Sequence, residues 1–247
     1  MTSTLHLVIR DYVGRALEDR PTALPPDEVH NWHWEPICSS SELTDLWKIL
    51  AEDERERAQR FHFSKHRDEF VVNRARMRSL LAGYLEKSPE QLIFGYASHG
   101  KPFLRDGGGL RFNLSHTHGR AALAVVHERE VGVDVEEIRP QCDARRIAER
   151  FFSVQERQSM QGLSGEALDR AFFRGWTRKE AYIKAKGEGL SIPLHQFDVS
   201  LAEGQPALLL STRPDPEEAG RWDLFDLSLG SGHAAALAVA RIPAALR

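Results

Sequence analysis

The chain has 247 residues, 41% of them apolar and 28% charged, ordinary proportions for a globular chain of one large domain or two smaller ones. The 33 basic and 36 acidic residues leave a formal charge of −3, without the basic excess that a nucleic-acid partner calls for. Cys38 and Cys142, far apart, make neither a disulfide framework nor a zinc site, and no run approaches the ~18 apolar residues of a membrane span.

The opening MTSTLHLVIRDYVGR is too charged and too short in apolar length for a secretory signal, so a reducing cytoplasm is the expected setting. Residues 1–28 end in PTALPPDE and read as an N-terminal extension stopped by prolines. Val29–Trp34 alternates like a strand, and SSSEL at 39–43 opens a helix with Ser40, Ser41 or Thr44 as N-cap. Residues 53–85 form the longest helical stretch, divided near Phe63–Ser64. Ser88-Pro89 starts a short turn or helix, Gly95–Pro102 reads as loop, and Leu110–Leu114 as a strand. Residues 119–138 read as a β-hairpin closed by the charged turn His127–Glu130. Helices follow at Asp143–Phe151, Ser153–Gln161 and Gly165–Gly187. Strands are expected at Gln196–Leu201, Ala207–Ser211, Trp222–Leu229 and His233–Ala240.

Two internal echoes are present. Phe112–Ala122 resembles Phe225–Ala235 at an offset of 113, and Val29–Trp34 resembles Val131–Glu136 at an offset of 102. They suggest two similar halves, with a ligand site between them, although similar strand-and-turn patterns also arise by chance.

Several motifs could carry chemistry. In VGVDVEEI (131–138), Asp134 and Glu136 share one strand face, where two carboxylates repel unless a hard divalent cation such as Mg²⁺ joins them. A solvated strand edge would look the same. Glu180 and Lys184 lie four apart on one helix face, as suits a carboxylate on a metal beside an ammonium on a pyrophosphate, or an ordinary surface ion pair. Ser115 and His116 offer donors to phosphate oxygens. A nucleophilic Ser115 activated by His116 is weak, because neighbours on an extended chain point apart and no GxSxG is present. Gly100-Lys101-Pro102 presents a lysine from a tight loop. Residues 53–78 are rich in arginine, with interleaved acids that also fit a solvated helix face.

In order and combination these fragments resemble the surfactin-type 4′-phosphopantetheinyl transferases. The carrying motifs are Gly-Lys-Pro at 100–102, Phe-Asn-Leu-Ser-His-Thr at 112–117 and Val-Gly-Val-Asp-Val-Glu at 131–136. Phe-Phe-Ser-Val-Gln-Glu at 151–156 and Trp-Thr-Arg-Lys-Glu-Ala-Tyr-Ile-Lys at 176–184 complete them. The resemblance covers about residues 50–200.

The resemblance implies an α+β fold, a pseudo-dimer of two similar halves with the active site in the cleft between them. The expected division is 1–28, 29–126 and 127–247. Asp134, Glu136 and Glu180 are then the expected Mg²⁺ carboxylates, Lys184 the lysine on the pyrophosphate, and Arg57, Lys101, Ser115 and His116 contacts to coenzyme A. Glu156 matches a glutamate proposed as general base, or is an ordinary helix residue. Glu54, three residues before Arg57, stands where a basic residue would help hold phosphate and so disturbs the expected nucleotide clamp. The implied reaction moves the phosphopantetheine of coenzyme A onto a serine of an acyl or peptidyl carrier protein in secondary-metabolite synthesis. The expected state is a monomer, without nucleic-acid or membrane partners. Carrier docking is expected near residues 140–165. A Mg²⁺-dependent nucleotide or pyrophosphate hydrolase, or a non-catalytic coenzyme A binding module, are the alternatives.

Overall fold

The computed structural model describes residues 5–12, 23–140 and 142–242. The first half contains β2 (Glu28–Trp34), α1 (Ser40–Ile49), α2 (Glu52–Gln59), α3 (Ser64–Tyr84), a ribbon of β3 (Phe94–Tyr96) and β4 (Pro102–Leu104), then β5 (Leu110–Thr117) and β6 (Arg120–His127). The second half repeats that order with β7 (Val131–Glu137), α4 (Ala144–Phe151), α5 (Val154–Ser159), α6 (Gly165–Lys186), a ribbon of β8 (Phe197–Val199) and β9 (Leu209–Thr212), then β10 (Trp222–Asp226) and β11 (His233–Ala240). The fold is α+β and a pseudo-dimer within one chain.

The repeat holds residue by residue on two strands. Asn31 pairs with Ala124 and Trp32 with Leu123. Moved by 102 and 113 residues, these become Val133 with Leu237 and Asp134 with Ala236, which are the observed pairs. On β10 the echo slips by one. Phe112 pairs with Val125, but Leu224, not Phe225, stands opposite Ala238. One residue of slip turns a side chain to the other face of a strand. Phe112 accordingly packs with α3, whereas Phe225 packs between the sheets.

Each half is a sheet with one long helix on its outer face. Met77, Leu80 and Leu81 of α3 cover Trp32, Trp34, Phe112 and Leu123. Tyr182 and Ile183 of α6 share a core with Leu224, Ala236 and Ala238. The two inner faces meet through Val29, Ala122, Ala124 and Val126 on one side and Val131, Val133, Val135, Leu237 and Val239 on the other. Apolar residues alternate along these strands, so one strand serves two cores.

Three expectations need correction. Residues 119–138 do not form a hairpin: β6 lies between β2 and β5, and β7 pairs with β11 in the other sheet. Both edges of β6 are already filled, so the chain crosses at Glu128, which adopts a positive φ of 51°. The real hairpin is β5–β6, closed between Thr117 and Arg120. Gly95–Pro102 is not wholly loop, since its ends form the β3–β4 ribbon. Ser39, rather than Ser40, Ser41 or Thr44, caps α1 by accepting from Glu42 N at 3.2 Å.

Part of the expected extension is structured. β1 (His6–Asp11) runs parallel to β2 at the edge of the first sheet; residues 1–4 and 13–22 lie outside the described residues. The corresponding edge of β7 is covered differently. Asn113 Oδ1, Ser115 Oγ and Thr117 Oγ1 accept from Val133 N, Val135 N and Glu137 N at 2.9, 3.4 and 3.4 Å. Side chains of β5 thus take the place of a backbone ladder along the seam between the halves, satisfying edge N–H groups that would otherwise be buried unpaired.

Candidate active site

The seam brings β5, β7 and α6 together. Asp134 stands on the outer face of β7, where α6 crosses. It is 3% exposed. Its Oδ1 accepts from Lys184 Nζ at 2.6 Å and from Ser115 Oγ at 3.0 Å. Lys184 Nζ also donates to Ser115 Oγ at 3.0 Å. One residue from the first half therefore ties a strand carboxylate to a helix ammonium of the second.

Glu136 and Glu180 complete a carboxylate cluster. Glu180 is pushed up to about 7, first by burial and then by the charge of Asp134, with Lys184 opposing. Burial, and then Asp134, also raise Glu136. Asp134 thus disfavours the charged form of both, as like charges do.

His116 reaches the surface beside this cluster. Packing around its ring holds its pKa below the ordinary value, and the Lys184 ammonium lowers it further. Glu69 of α3 pulls the other way. Arg57 is exposed and lies over the Phe70 ring at 5.3 Å, one residue along from Glu69. It makes no contact with the carboxylate cluster among the bonds described.

Lys101 sits at the end of α6 in a different state from the one expected. Its Nζ donates to Glu130 Oε2, Val131 O and Ala185 O at 2.9, 3.1 and 2.9 Å. All three donors are occupied. Burial lowers its pKa, and Glu130 offsets part of that. In this conformation Lys101 pins the β3–β4 turn to β7 and α6, and the exposed Glu130 is the partner an incoming anion would have to replace.

The geometry does not bring Glu156 to the cluster. Glu156 is 2% exposed inside the second half, and both its oxygens are hydrogen-bonded. Glu54 also points inward. It is 3% exposed, binds Arg78 Nε at 2.6 Å and pairs with Arg74, so its charge is engaged within the first half. Its helical spacing allowed either face, and only the packing of α2 on α3 turned it inward.

Asp134 Oδ2 is buried and has no hydrogen-bond partner. A charged acceptor left bare is costly, and a hard cation is a natural partner for it. Among the described residues no three His, Cys, Asp or Glu side chains close round a single point. A cation here would therefore complete its shell with substrate oxygens and water, the habit of Mg²⁺. The oxygen-only donor set fits such an ion.

Gly132 and Lys179 were not singled out from the sequence, yet both shape the site. Gly132 lets the α6 backbone rest on β7. Lys179, fully buried, donates to Leu194 O and Phe197 O at 2.8 and 2.6 Å. A lysine on an otherwise apolar helix face was the available signal for the second.

Comparison with known proteins finds relatives over most of the chain. Residues 130–238 match the model of the 4′-phosphopantetheinyl transferase superfamily, and residues 32–128 match that of the 4′-phosphopantetheinyl transferase N-terminal region. The 4′-phosphopantetheinyl transferase HetI of Nostoc sp. is 41% identical over 217 residues, covering 87% of this chain and 88% of that protein. The 4′-phosphopantetheinyl transferase psf-1 of Bacillus pumilus is 35% identical over 71% of this chain and 73% of its own. Sfp of Bacillus subtilis, also a 4′-phosphopantetheinyl transferase, is 27% identical over 76% and 84%.

Proposed function

Because the chain belongs to the 4′-phosphopantetheinyl transferase superfamily, we propose that it transfers the phosphopantetheine of coenzyme A to a serine of a carrier protein at the Asp134–Glu136–Glu180–Lys184 cluster. The carrier serine oxygen attacks the β-phosphorus, the bond to the bridging oxygen breaks, and adenosine 3′,5′-bisphosphate leaves. The serine proton passes to a base or to water. The observation that supports this site most directly is the junction of Asp134, Ser115 and Lys184, with Asp134 Oδ2 bare beside it.

Asp134, Glu136 and Glu180 are the residues that would hold Mg²⁺, whose charge would neutralise the diphosphate. Lys184 is poised between two acceptors and can turn its ammonium to the oxygen that gains charge as the bond breaks. That group acts by electrostatics and placement, the dominant means in phosphoryl transfer. Ser115 holds Lys184 and Asp134 in register. His116, Lys101 and Arg57 would serve the nucleotide phosphates, Lys101 by exchanging Glu130 for phosphate.

The surfactin-type subfamily is the finer reading, with carriers of secondary-metabolite synthesis as clients. The similarity to HetI, psf-1 and Sfp supports it. The chain works as a monomer, divided at 126/127 after residues 1–28, because one chain supplies both sides of the seam. No helix among the described residues is long and apolar enough to cross a membrane, and the cytoplasm is the proposed location. Exposed Arg145, Arg146 and Arg150 of α4, with exposed Val154 beside them, suit an acidic carrier with an apolar spot.

The test is to incubate the protein with coenzyme A, Mg²⁺ and apo-carrier proteins and to weigh the carriers. A gain of about 340 Da on the carrier serine is expected for the modified residue. Breakdown of coenzyme A without such a gain would favour a hydrolase, and binding without either change a coenzyme A binding module.

A further inference from the structure

We infer that Glu156 is a positioning residue, which orients α6 and Glu180 through Lys179, and not the acceptor of the substrate proton. This inference rests on the transfer reaction proposed above and assigns one residue's part in it.

Both carboxylate oxygens of Glu156 are bonded within the fold. Oε2 accepts from Ser153 N at 2.9 Å and closes the capping box of α5. Oε1 accepts from Val199 N at 2.9 Å and lies 2.8 Å from Lys179 Nζ. Lys179 spends its other donors on Leu194 O and Phe197 O. A base must reach the hydroxyl it deprotonates directly or through one water. A carboxylate 2% exposed and bonded on both oxygens has no such path.

The pseudo-dimer supplies an internal control. Position 54 is position 156 less 102, the offset that superposes β2 on β7. Glu54 accepts from Ala51 N at 2.9 Å, as Glu156 accepts from Ser153 N, and it is ion-paired to the long helix of its own half through Arg74 and Arg78. Yet the first half has Trp32 and Trp34 where the second has Asp134 and Glu136. No carboxylate stands at those two places in β2. A buried glutamate joining the short helix to the long one thus belongs to the repeated unit, whether or not chemistry occurs there.

In the second half this joint also bears on the site, because Lys179 precedes Glu180. Lys179 clamps α6 to α5 and β8, which fixes rotation of the helix about its axis. Side-chain ends stand roughly 5–6 Å from a helix axis, so a turn of about 20° would carry the Glu180 carboxylate about 2 Å. Such a shift would spoil a ligand while leaving the fold intact.

Glu156→Gln and Glu54→Gln, both close in volume, test this. Melting temperature is measured for each over a Mg²⁺ series with coenzyme A present, alongside kcat for carrier loading from acid to neutral pH. Both variants are expected to melt several degrees lower. Only Glu156→Gln should raise the Mg²⁺ concentration at half-effect, by about 10-fold, as loss of a ligand-orienting group does. Its kcat should stay within about tenfold of the parent, with the acid limb of the pH profile retained, whereas loss of a base costs ~10²–10⁴. A fall of that larger size with the acid limb gone and the Mg²⁺ midpoint unmoved would identify Glu156 as the base. A lowered melting temperature with an unmoved midpoint would also overturn the inference, leaving only a structural joint. If the parent loads no carrier, the transfer reading fails, and the Mg²⁺ midpoints still decide whether Glu156 orients Glu180.

Discussion

Gly132 of β7 lies against the carbonyl of Ala181 in α6: a Cβ at Gly132 would stand 2.1 Å from that oxygen and 2.3 Å from Ala185 N. The helix backbone rests on the strand, and Glu180 and Lys184 each immediately precede one of the two contact residues. Gly132→Ala must push α6 outward. A loss of about 1–3 kcal/mol is expected, as for overpacked cores, and carrier loading should fall with it. Urea unfolding and carrier mass together check this, and parental values in both would refute the close contact as the cause of the site's geometry.

Asp134→Asn keeps the shape and removes the charge. Its bare oxygen no longer attracts a cation, and Lys184 loses its counter-ion. Transfer is expected to drop by ~10²-fold or more, the scale of losing one charge-stabilising group. The rise in melting temperature on adding Mg²⁺ and coenzyme A should vanish in this variant. Chelation of Mg²⁺ should reduce the parent to the same level, and a variant that still responds to Mg²⁺ would displace Asp134 from the metal.

Without metal, the stability that Glu180 contributes, read as the difference between the parent and Glu180→Gln, should fall as pH rises through the carboxylate cluster. Glu180 is pushed up to about 7 in the folded chain, against an ordinary value of 4.5. Between those values the unfolded chain has released a proton that the folded chain retains, so rising pH favours unfolding. The loss should begin near the ordinary value and be complete above about 7. Mg²⁺ with coenzyme A should flatten the slope. Thermal melts of both proteins across this range, with and without the ion, test it, and a metal-free difference that stays flat or grows in the parent's favour would contradict the raised Glu180.

Glu54 has the opposite sign. Burial pushes its pKa up, but Arg74, Arg78 and Ala51 N outweigh that and hold it below the ordinary value. Its contribution is present above the unfolded pKa and is lost as pH falls through the lower folded one. Glu54→Gln should therefore be less stable than the parent at neutral pH, with the gap narrowing in acid. Breaking one side of a buried pair typically costs ~3–5 kcal/mol. A gap that stayed constant from pH 7 down through the acid unfolding range would show that the ion pairs are not its source.

Local features are legible in the order of the residues alone. Apolar spacing placed α3 and α6 nearly to the residue, and the break at Phe63–Ser64 falls where α3 begins. The offsets of 102 and 113 carried the duplication, because strands built on one pattern keep one register. The residues that later cluster, Asp134, Glu136, Glu180 and Lys184, could be singled out because i, i+2 and i, i+4 spacings place side chains on one face within a single element.

What those faces meet depends on packing between elements distant in the chain. Alternation marks β6 and β7 as strands but not as partners, and they lie in different sheets because both edges of β6 were taken. The slip at Phe225 has the same origin, since a pattern of period two does not say which neighbour a strand will register against. Lys101 and Glu156 carry charges that a sequence leaves free to point anywhere. Burial beside the carbonyls of α6 committed the first, and the capping box with Lys179 committed the second. The cost of leaving a buried polar group unpaired is settled by contacts distant in sequence, and so is the identity of the groups that remain available for chemistry.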